Sequence, residues 1–412
     1  MKISVIGLGY VGYPLALLIS SKGYNILGID KKEEVVEKIN SKKLHIDEEF
    51  SKKLVKTTSL KAKKNLESSD IYIICVPTPV NGLKEPDLTA VKKATEEVSS
   101  VLKENQLVII ESTIYPGVCE ELIKPILDKK TKNYFLAHCP ERINPGNKKW
   151  NVSNIPRVVA GIDKQSGIKA KEFYESVISS KITLLSQIKA AEATKILENT
   201  FRDINIAFVN EMAQSFDKID VDISEVIKGA STKPFGFLPH FPGIGVGGHC
   251  IAVDPYYMIK KGKENGFEHT FLKQARKINS LMPKYTLKII QEELNKIKLP
   301  INGTKITVLG LSYKPNVSDD RESPSYELIK LLKEKGADLK IYDPYLKNKS
   351  NVDSLKQAVK NTTCIVIATA HSEFLKDPSI FKESKIIIDG RNCLNKEEIK
   401  KMNILYRGIG RK

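Results

Sequence analysis

No stretch of this 412-residue chain stays apolar for the roughly 20 residues that a membrane span requires. No charged leader, apolar core and cleavage site precede the first strand-like run, so the expectation is a cytoplasmic protein that does not engage a membrane. The six cysteines, Cys75, Cys119, Cys139, Cys250, Cys364 and Cys393, include no C-x-x-C pair. That argues against a zinc site and against a disulfide framework, and no metal is expected. Arginine is scarce beside lysine. The net charge of +17 would suit nucleic acid, but no helix-turn-helix, aromatic platform or zinc module accompanies it. Lysine alternates with glutamate along residues 31–38 and 396–401, as on solvated helix faces. A positive field would equally attract a dinucleotide and a nucleoside diphosphate. Glycine and proline are both missing from residues 187–219, where Ile188, Ala191, Ile196, Phe201, Ile204, Phe208, Met212 and Phe216 recur at helical spacing. The window predicts one helix of about 30 residues, some 45 Å long, bridging domains or partner subunits.

What the chain does contain begins at its amino terminus. A β-rich run at residues 2–6 leads directly into Gly7-Leu8-Gly9-Tyr10-Val11-Gly12, then a helical pattern, then a second strand at 25–29 closed by Asp30. In that order the glycines give a tight turn and a close approach to pyrophosphate, the helix N-terminus faces the phosphates, and the acid meets the ribose hydroxyls. Asp30 favours NAD over NADP. The alternative is a glycine-rich turn with no ligand. Apolar strands at 71–76 and 107–111 end in Pro77-Thr78-Pro79 and Ser112-Thr113, and both ends are expected in the cofactor crevice. Thr113 is equally suited to capping a helix. After a strand at 135–137 comes Pro140-Glu141-Arg142-Ile143-Asn144-Pro145, in which Glu141 is a candidate general base or half of a surface pair with Arg142. His138 and Cys139 read as packing residues, and 157–160 as the last strand before the fold changes.

The second focus is residues 242–257, PGIGVGGHCIAVDPYY. Gly243, Gly245, Gly247 and Gly248 permit positive φ and close approach of a ligand, so Cys250 is expected to line a site. Neighbours such as His249 and Asp254 can help lower a thiol's pKa from about 8.5, which makes Cys250 a candidate nucleophile; the alternative is a small buried hydrophobe. Lys195 and Asn199, four apart, share a face of the long predicted helix. A helical segment at 271–282, with Arg276 and Asn279, completes an all-α middle.

The last third echoes the first. Lys305-Ile306-Thr307-Val308-Leu309-Gly310-Leu311-Ser312-Tyr313 parallels residues 2–10, and 334–343 parallels 21–30. The glycine fingerprint is broken at Ser312 and followed by Lys314-Pro315, so this sheet is expected to hold something other than a second dinucleotide. The predicted fold is α/β: two Rossmann-like doubly wound parallel sheets joined by a small all-α domain on the long helix. The predicted domains are 1–186, 187–298 and 299–412.

These motifs resemble the nucleotide-sugar 6-dehydrogenases of the UDP-glucose/GDP-mannose dehydrogenase family: GGHC followed by Asp254, the P-E-R segment, T-K-x-x-x-N and the Y-K-P to D-x-R stretch occur in the family's order over nearly the whole chain. The resemblance implies an NAD enzyme that oxidises the C6 alcohol of a UDP-sugar to the uronic acid. It implies that Lys195 stabilises charge on the substrate oxygen beside Asn199, and that Thr113 holds a water. Cys250 then carries a thiohemiacetal and thioester, and Glu141 and Asp254 assist hydrolysis. It implies substrate contacts from Arg142, Gly247, Lys314 and Arg391, cofactor contact from Arg321, a homodimer through the helical domain, and a product destined for a surface polysaccharide. Residues alone leave Lys195 open to being a solvated helix lysine, and Arg321 and Arg391 to being interdomain salt bridges. The PFGF run resembles UDP-N-acetylglucosamine enzymes and HCIAVDP resembles UDP-N-acetylmannosamine enzymes, with UDP-glucose a third possibility. A single-step β-hydroxyacid-type dehydrogenase and a basic NAD-binding regulator are the other classes considered.

Overall fold

The computed structural model describes residues 1–46, 48–143, 147, 149–248 and 250–412. Among these, the first sheet contains β1 (Lys2–Ile6), β2 (Asn25–Ile29), β3 (Lys61–Lys63), β4 (Ile71–Ile74), β5 (Leu107–Ile110), β6 (Phe135–His138), β7 (Arg157–Gly161) and β8 (Ile182–Leu184), in the order β3-β2-β1-β4-β5-β6-β7-β8. Alternate residues fill opposite faces. Ile3, Val5, Ile73 and Ile109 join one apolar cluster with Leu15, Leu18 and Ile19 of the helix Gly12–Ser21. Ile6, Tyr72, Ile74, Val108 and Ile110 join another with Val91, Ala94 and Val98. A sheet covered on both faces explains why IYII and LVII are continuous apolar runs.

Every pairing in this sheet is parallel except β6 with β7. Among the described residues their connection contains no helix, and a parallel return needs a crossover, so the chain comes back antiparallel. β7 is also not the last strand. β8 follows the helix Lys164–Val177 and pairs with β7, but two of its three residues are exposed, which leaves no apolar run to signal it.

The second sheet contains β9 (Lys305–Leu309), β10 (Asp338–Tyr342), β11 (Cys364–Ile367), β12 (Ile386–Asp389) and β13 (Leu405–Gly408), parallel throughout in the order β10-β9-β11-β12-β13. One face packs Ile306, Val308 and Val366 against Met282, Ile289, Ile290 and Leu294 of a 27-residue helix, Thr270–Lys296. That helix runs straight through Pro283, where the sequence predicted its end at 282.

The long predicted helix is a single helix, Ile188–Lys218, of 31 residues. The chain divides into two compact units, Met1–Glu198 with Tyr256–Glu268, and Asn199–Pro255 with His269–Lys412. The division falls within this helix and within the helix Asp254–Glu264.

Candidate active site

In the first unit, the strand order reverses between β1 and β4, and an open parallel sheet takes its ligand at the carboxyl ends of the strands at such a point. Gly7, at φ +90°, donates its N–H to Ile29 O at 2.8 Å, and the Leu8 N–H donates to Asp30 Oδ2 at 3.0 Å. A Cβ at Gly12 would stand 2.0 Å from Gly7 O, so only glycine lets the helix start this close to the turn. Gly9 is exposed, Tyr10 and Val11 are half-buried, and no side chain caps the helix Gly12–Ser21 at its amino end. Its first N–H groups are therefore offered to a phosphate, and Asp30, half-buried, faces the same edge as an acceptor for ribose hydroxyls. This fits a dinucleotide.

Pro77 is exposed and Thr78 buried in the turn after β4, where Thr78 O accepts from the Tyr257 hydroxyl. Ser112 Oγ donates to Val76 O at 2.8 Å and ties the β5 end to that turn. Thr113, half-buried, follows; it caps no helix, since the next helical turn starts at Cys119 from Val118.

Beside these ends lies a buried charge cluster. Arg157 Nη1 donates to Glu111 Oε1 at 2.7 Å, and Tyr174 donates its hydroxyl to the same oxygen. Glu141 is buried; its Oε2 accepts from the Ile143 N–H, and its Oε1 lies 3.7 Å from Arg157 Nη2. Burial pushes the Glu111 carboxyl up against the pull of Arg157. The expected alternative of a Glu141–Arg142 pair does not occur. Arg142 turns to Glu198, with Nε at 3.2 Å, and to Pro156 O at 3.0 Å. His138 and Cys139 are packing residues as expected, both fully buried, with His138 driven down to about 3 by burial. Asn144, Pro145 and Gly146 lie outside the described residues.

In the second unit, the cysteine loop is held by hydrogen bonds and by close packing. Gly245 and Gly248 adopt positive φ, +133° and +84°. Gly243 and Gly247 do not; they are small for room, since a Cβ would meet Arg391 Nη1 at 2.6 Å and the Tyr313 Cβ at 2.8 Å. The Gly243 N–H donates to Asn210 Oδ1 at 2.9 Å, Asn210 Nδ2 to Asn279 Oδ1 at 2.9 Å, and Asn279 Nδ2 to Asp203 Oδ1 at 2.8 Å, where Arg276 is also paired. Pro283, which has no N–H to give, leaves the Asn279 carbonyl open, and Gly245 passes it so closely that a Cβ would be 3.2 Å away. Asp203 and Asn210 were not read as site residues; both are polar positions on an otherwise apolar helix stripe, which is the signal that was available.

Cys250 is exposed at the end of this loop. Its carbonyl accepts the Asp254 N–H at 2.9 Å, and Asp254 Oδ2 accepts from Asn199 Nδ2 at 2.5 Å. Asn199 Oδ1 in turn accepts from Arg202. The Gly248 N–H donates to Arg321 O at 2.9 Å, and the Arg321 guanidinium holds Asp319 through Nε at 2.9 Å. Hydrogen bonding to Asp319 keeps Arg321 above its ordinary value, and the pull of Cys250 adds to it. Lys314 is half-buried, and burial, then Arg202, draws its ammonium down. Arg391 donates Nε to Ala368 O at 2.8 Å, and burial lowers it to about 10, still charged near neutrality. Asp319 and the Ala368 carbonyl lie in the same unit as Arg321 and Arg391. His249 lies outside the described residues.

Lys195 sits one turn before Asn199 on the long helix. It is only 7% exposed, which overturns the solvated-lysine alternative, and it has no hydrogen bond or ion pair among the described residues. A buried ammonium without a counter-charge is costly unless something else supplies the charge.

Three family models match successive parts of the chain: the UDP-glucose/GDP-mannose dehydrogenase family NAD binding domain at residues 1–178, its central domain at 189–281 and its UDP binding domain at 307–396. A UDP-N-acetyl-D-mannosamine dehydrogenase of Pyrococcus horikoshii is 37% identical over 100% of this chain and 99% of its own length. A UDP-N-acetyl-D-glucosamine 6-dehydrogenase of Pseudomonas aeruginosa is 34% identical over 91% of each. The solved structure of UDP-D-ManNAc dehydrogenase from Pyrococcus horikoshii superposes with a TM-score of 0.92 at 36% identity, covering 100% of this chain and 99% of that one.

Proposed function

The chain belongs to the UDP-glucose/GDP-mannose dehydrogenase family and is an NAD-dependent UDP-sugar dehydrogenase; from that premise we propose that it oxidises the C6 alcohol of a UDP-N-acetylhexosamine to the uronic acid in two steps on one cysteine. UDP-N-acetylmannosamine is the first candidate and UDP-N-acetylglucosamine the second, in line with the names of its relatives. The observation that carries the reading is the exposed Cys250, whose turn is closed by Asp254 and tied through Asn199 to the helix that bears the buried Lys195.

NAD, bound at residues 7–12 and Asp30, would accept a hydride at each oxidation. Lys195 places its charge at the C6 oxygen, where negative charge develops, and the Thr113 hydroxyl orients a water beside it. The Cys250 thiolate adds to the aldehyde carbon as a thiohemiacetal, which holds the reactive intermediate in place, and loss of the second hydride leaves a thioester. Glu141 takes a proton from the hydrolytic water, with Asp254 assisting, and the thiolate departs as the acid forms. Arg142, Asn199, Gly247, Lys314 and Arg391 contact the UDP-sugar, and Arg321 stands at the cofactor side. In this reading residues 1–186 hold NAD, 187–298 carry the cysteine loop and 299–412 hold the UDP-sugar.

The long helix also presents Leu197, Phe201 and Phe208 on one side, 71%, 46% and 57% exposed. A stripe of that kind is what a second copy would cover, which supports the homodimer.

The test is to count NADH formed per sugar consumed with UDP-N-acetylmannosamine, UDP-N-acetylglucosamine, UDP-N-acetylgalactosamine and UDP-glucose. Two per sugar with one N-acetylhexosamine is expected, with uronate formation lost in Cys250→Ser. One per sugar, or full turnover to the uronate by Cys250→Ser, overturns the covalent scheme.

A further inference from the structure

The scheme above leaves one buried charge without a task. Arg157, on β7, has no exposed side-chain surface, and its Nη1 donates to Glu111. Its Nε and Nη2 have no hydrogen-bond partner among the described residues, and neither has Glu141 Oε1. Those groups face each other, with Nη2 3.7 Å from Oε1. A fully buried guanidinium with donors to spare, aimed at a carboxylate oxygen with a lone pair to spare, is an ion pair in which the oxygen has not been tied down by a direct hydrogen bond.

We propose that Arg157 is the positioning residue for Glu141: the arm of the guanidinium that Glu111 leaves unused keeps that carboxylate aimed without a direct hydrogen bond, so that Glu141 can take the proton of the hydrolytic water. The inference rests on Glu141 being the base. Glu141 is anchored at its other oxygen, Oε2, by the Ile143 N–H. Arg157 is fixed in turn by Glu111, which follows β5 and is itself held by Tyr174 of the helix Lys164–Val177.

The titratable groups around Glu141 come from several elements: Arg157 on β7, Glu111 after β5, Tyr174 on the helix, Cys75 after β4 and Cys139 after β6. Burial pushes both thiols up, Cys139 to about 12, and raises the Tyr174 hydroxyl, so these three stay neutral at ordinary pH. That leaves one guanidinium facing two carboxyl groups, those of Glu111 and Glu141. Arg157 is shared, and weakening Glu111's claim on it must strengthen the hold on Glu141. This gives two substitutions of opposite sign. Arg157→Lys keeps a charge but loses the fork that serves both carboxylates. Glu111→Gln keeps the shape and the acceptor while removing the competing charge.

The experiment follows the approach to steady state in the full-length enzyme with NAD and its UDP-sugar, together with intact-protein mass for a covalent sugar adduct. Arg157→Lys should release two NADH per site at the native rate, then turn over roughly 10- to 100-fold more slowly with the adduct on Cys250, the acid limb of turnover moving up by about 1 to 3 pH units. Glu111→Gln should move that limb the other way with no adduct. A purely structural role would slow the initial NADH release in proportion, and that result overturns the proposal, as does an unmoved limb in Glu111→Gln should Arg157→Lys fail to fold. Glu141→Gln is run alongside. If it accumulates adduct while Arg157→Lys hydrolyses normally, the positioning role fails alone. If Glu141→Gln itself hydrolyses normally, the base assignment fails and the inference with it.

Discussion

The two sheets begin with the same device and put it to different ends. In each, a glycine at positive φ leaves the first strand, Gly7 at +90° and Gly310 at +101°, and donates its N–H across to the second strand at 2.8 Å. In each, the next residue's N–H reaches the aspartate that closes the second strand, Leu8 to Asp30 and Leu311 to Asp343. There the likeness stops. Asp30 stays half-buried beside an uncapped helix end. Asp343 is fully buried, its Oδ2 taking the Leu311 and Ser312 N–H groups, the Ser312 hydroxyl and His371 Nε2 at 3.0 Å. His371 follows β11, at the point where the second sheet's strand order reverses, and its Nδ1 accepts the Asn316 N–H at 2.9 Å, which leaves the proton on Nε2 for Asp343. Thr369 closes in beside it, where a Cβ on Gly310 would stand 2.4 Å from the Thr369 Cβ. The crevice beside the half-buried Asp30 in the first sheet has a counterpart in the second that is filled by side chains. A shared backbone therefore predicts the fold of both halves, and the chemistry of only one.

The comparison can be broken at three places. The largest effect is expected at the first turn: Gly12→Ala puts a methyl 2.0 Å from Gly7 O, and NAD affinity measured by calorimetry should fall more than about 100-fold, or the turn should fail to form. Native affinity in that variant would mean the turn is not where the dinucleotide sits.

Next comes Asp343→Asn, which should cost roughly 2–4 kcal/mol of stability, read by urea unfolding, with NAD binding unchanged. Burial opposes the Asp343 charge, but the His371 hydrogen bond and the Ser312 and Leu311 N–H groups outweigh it and hold the carboxyl well below the ordinary range. A carboxyl depressed in the folded state stabilises fully above about pH 4, its unfolded value, and that contribution fades as pH falls further. The native protein should therefore lose its advantage over Asp343→Asn on acidification below pH ~4, and a constant difference would contradict the sealed-acid reading.

The smallest effect is expected for Asp30→Ala, about 10- to 100-fold weaker NAD binding, roughly 1.4–2.7 kcal/mol, with the thermal midpoint almost unmoved. A large loss of stability there would make Asp30 the same kind of residue as Asp343.

What could be read from the sequence was whatever is local. β1, β2 and the 31-residue helix announce themselves because a β-rich run or a helical period continues uninterrupted through each. β8 was missed because two of its three positions face solvent, and the β6–β7 reversal because pairing direction depends on the connection's path, which no period encodes. The second long helix was read only over 271–282 and continues through Pro283; there the carbonyl that proline leaves unbonded faces the glycine loop. At the site, Cys250 and the first glycine turn stand out as motifs. Arg157 and Glu111 do not, because each looks like a surface charge until the fold buries both together. The sequence also missed that Gly243 and Gly247 serve packing, since only the packed loop separates a glycine needed for its angle from one needed for its size.

The 31-residue helix also sets how the chain is able to change length over evolutionary time. Lys195 and Asn199 are held in phase by helical geometry alone, and one inserted or deleted residue between them would turn everything beyond by about 100°. Insertions should therefore be purged from residues 195–199 and accepted in the turn at residues 150–156 ahead of β7. Among descendants of this chain, the gaps in an alignment would trace its mechanism as clearly as the identities.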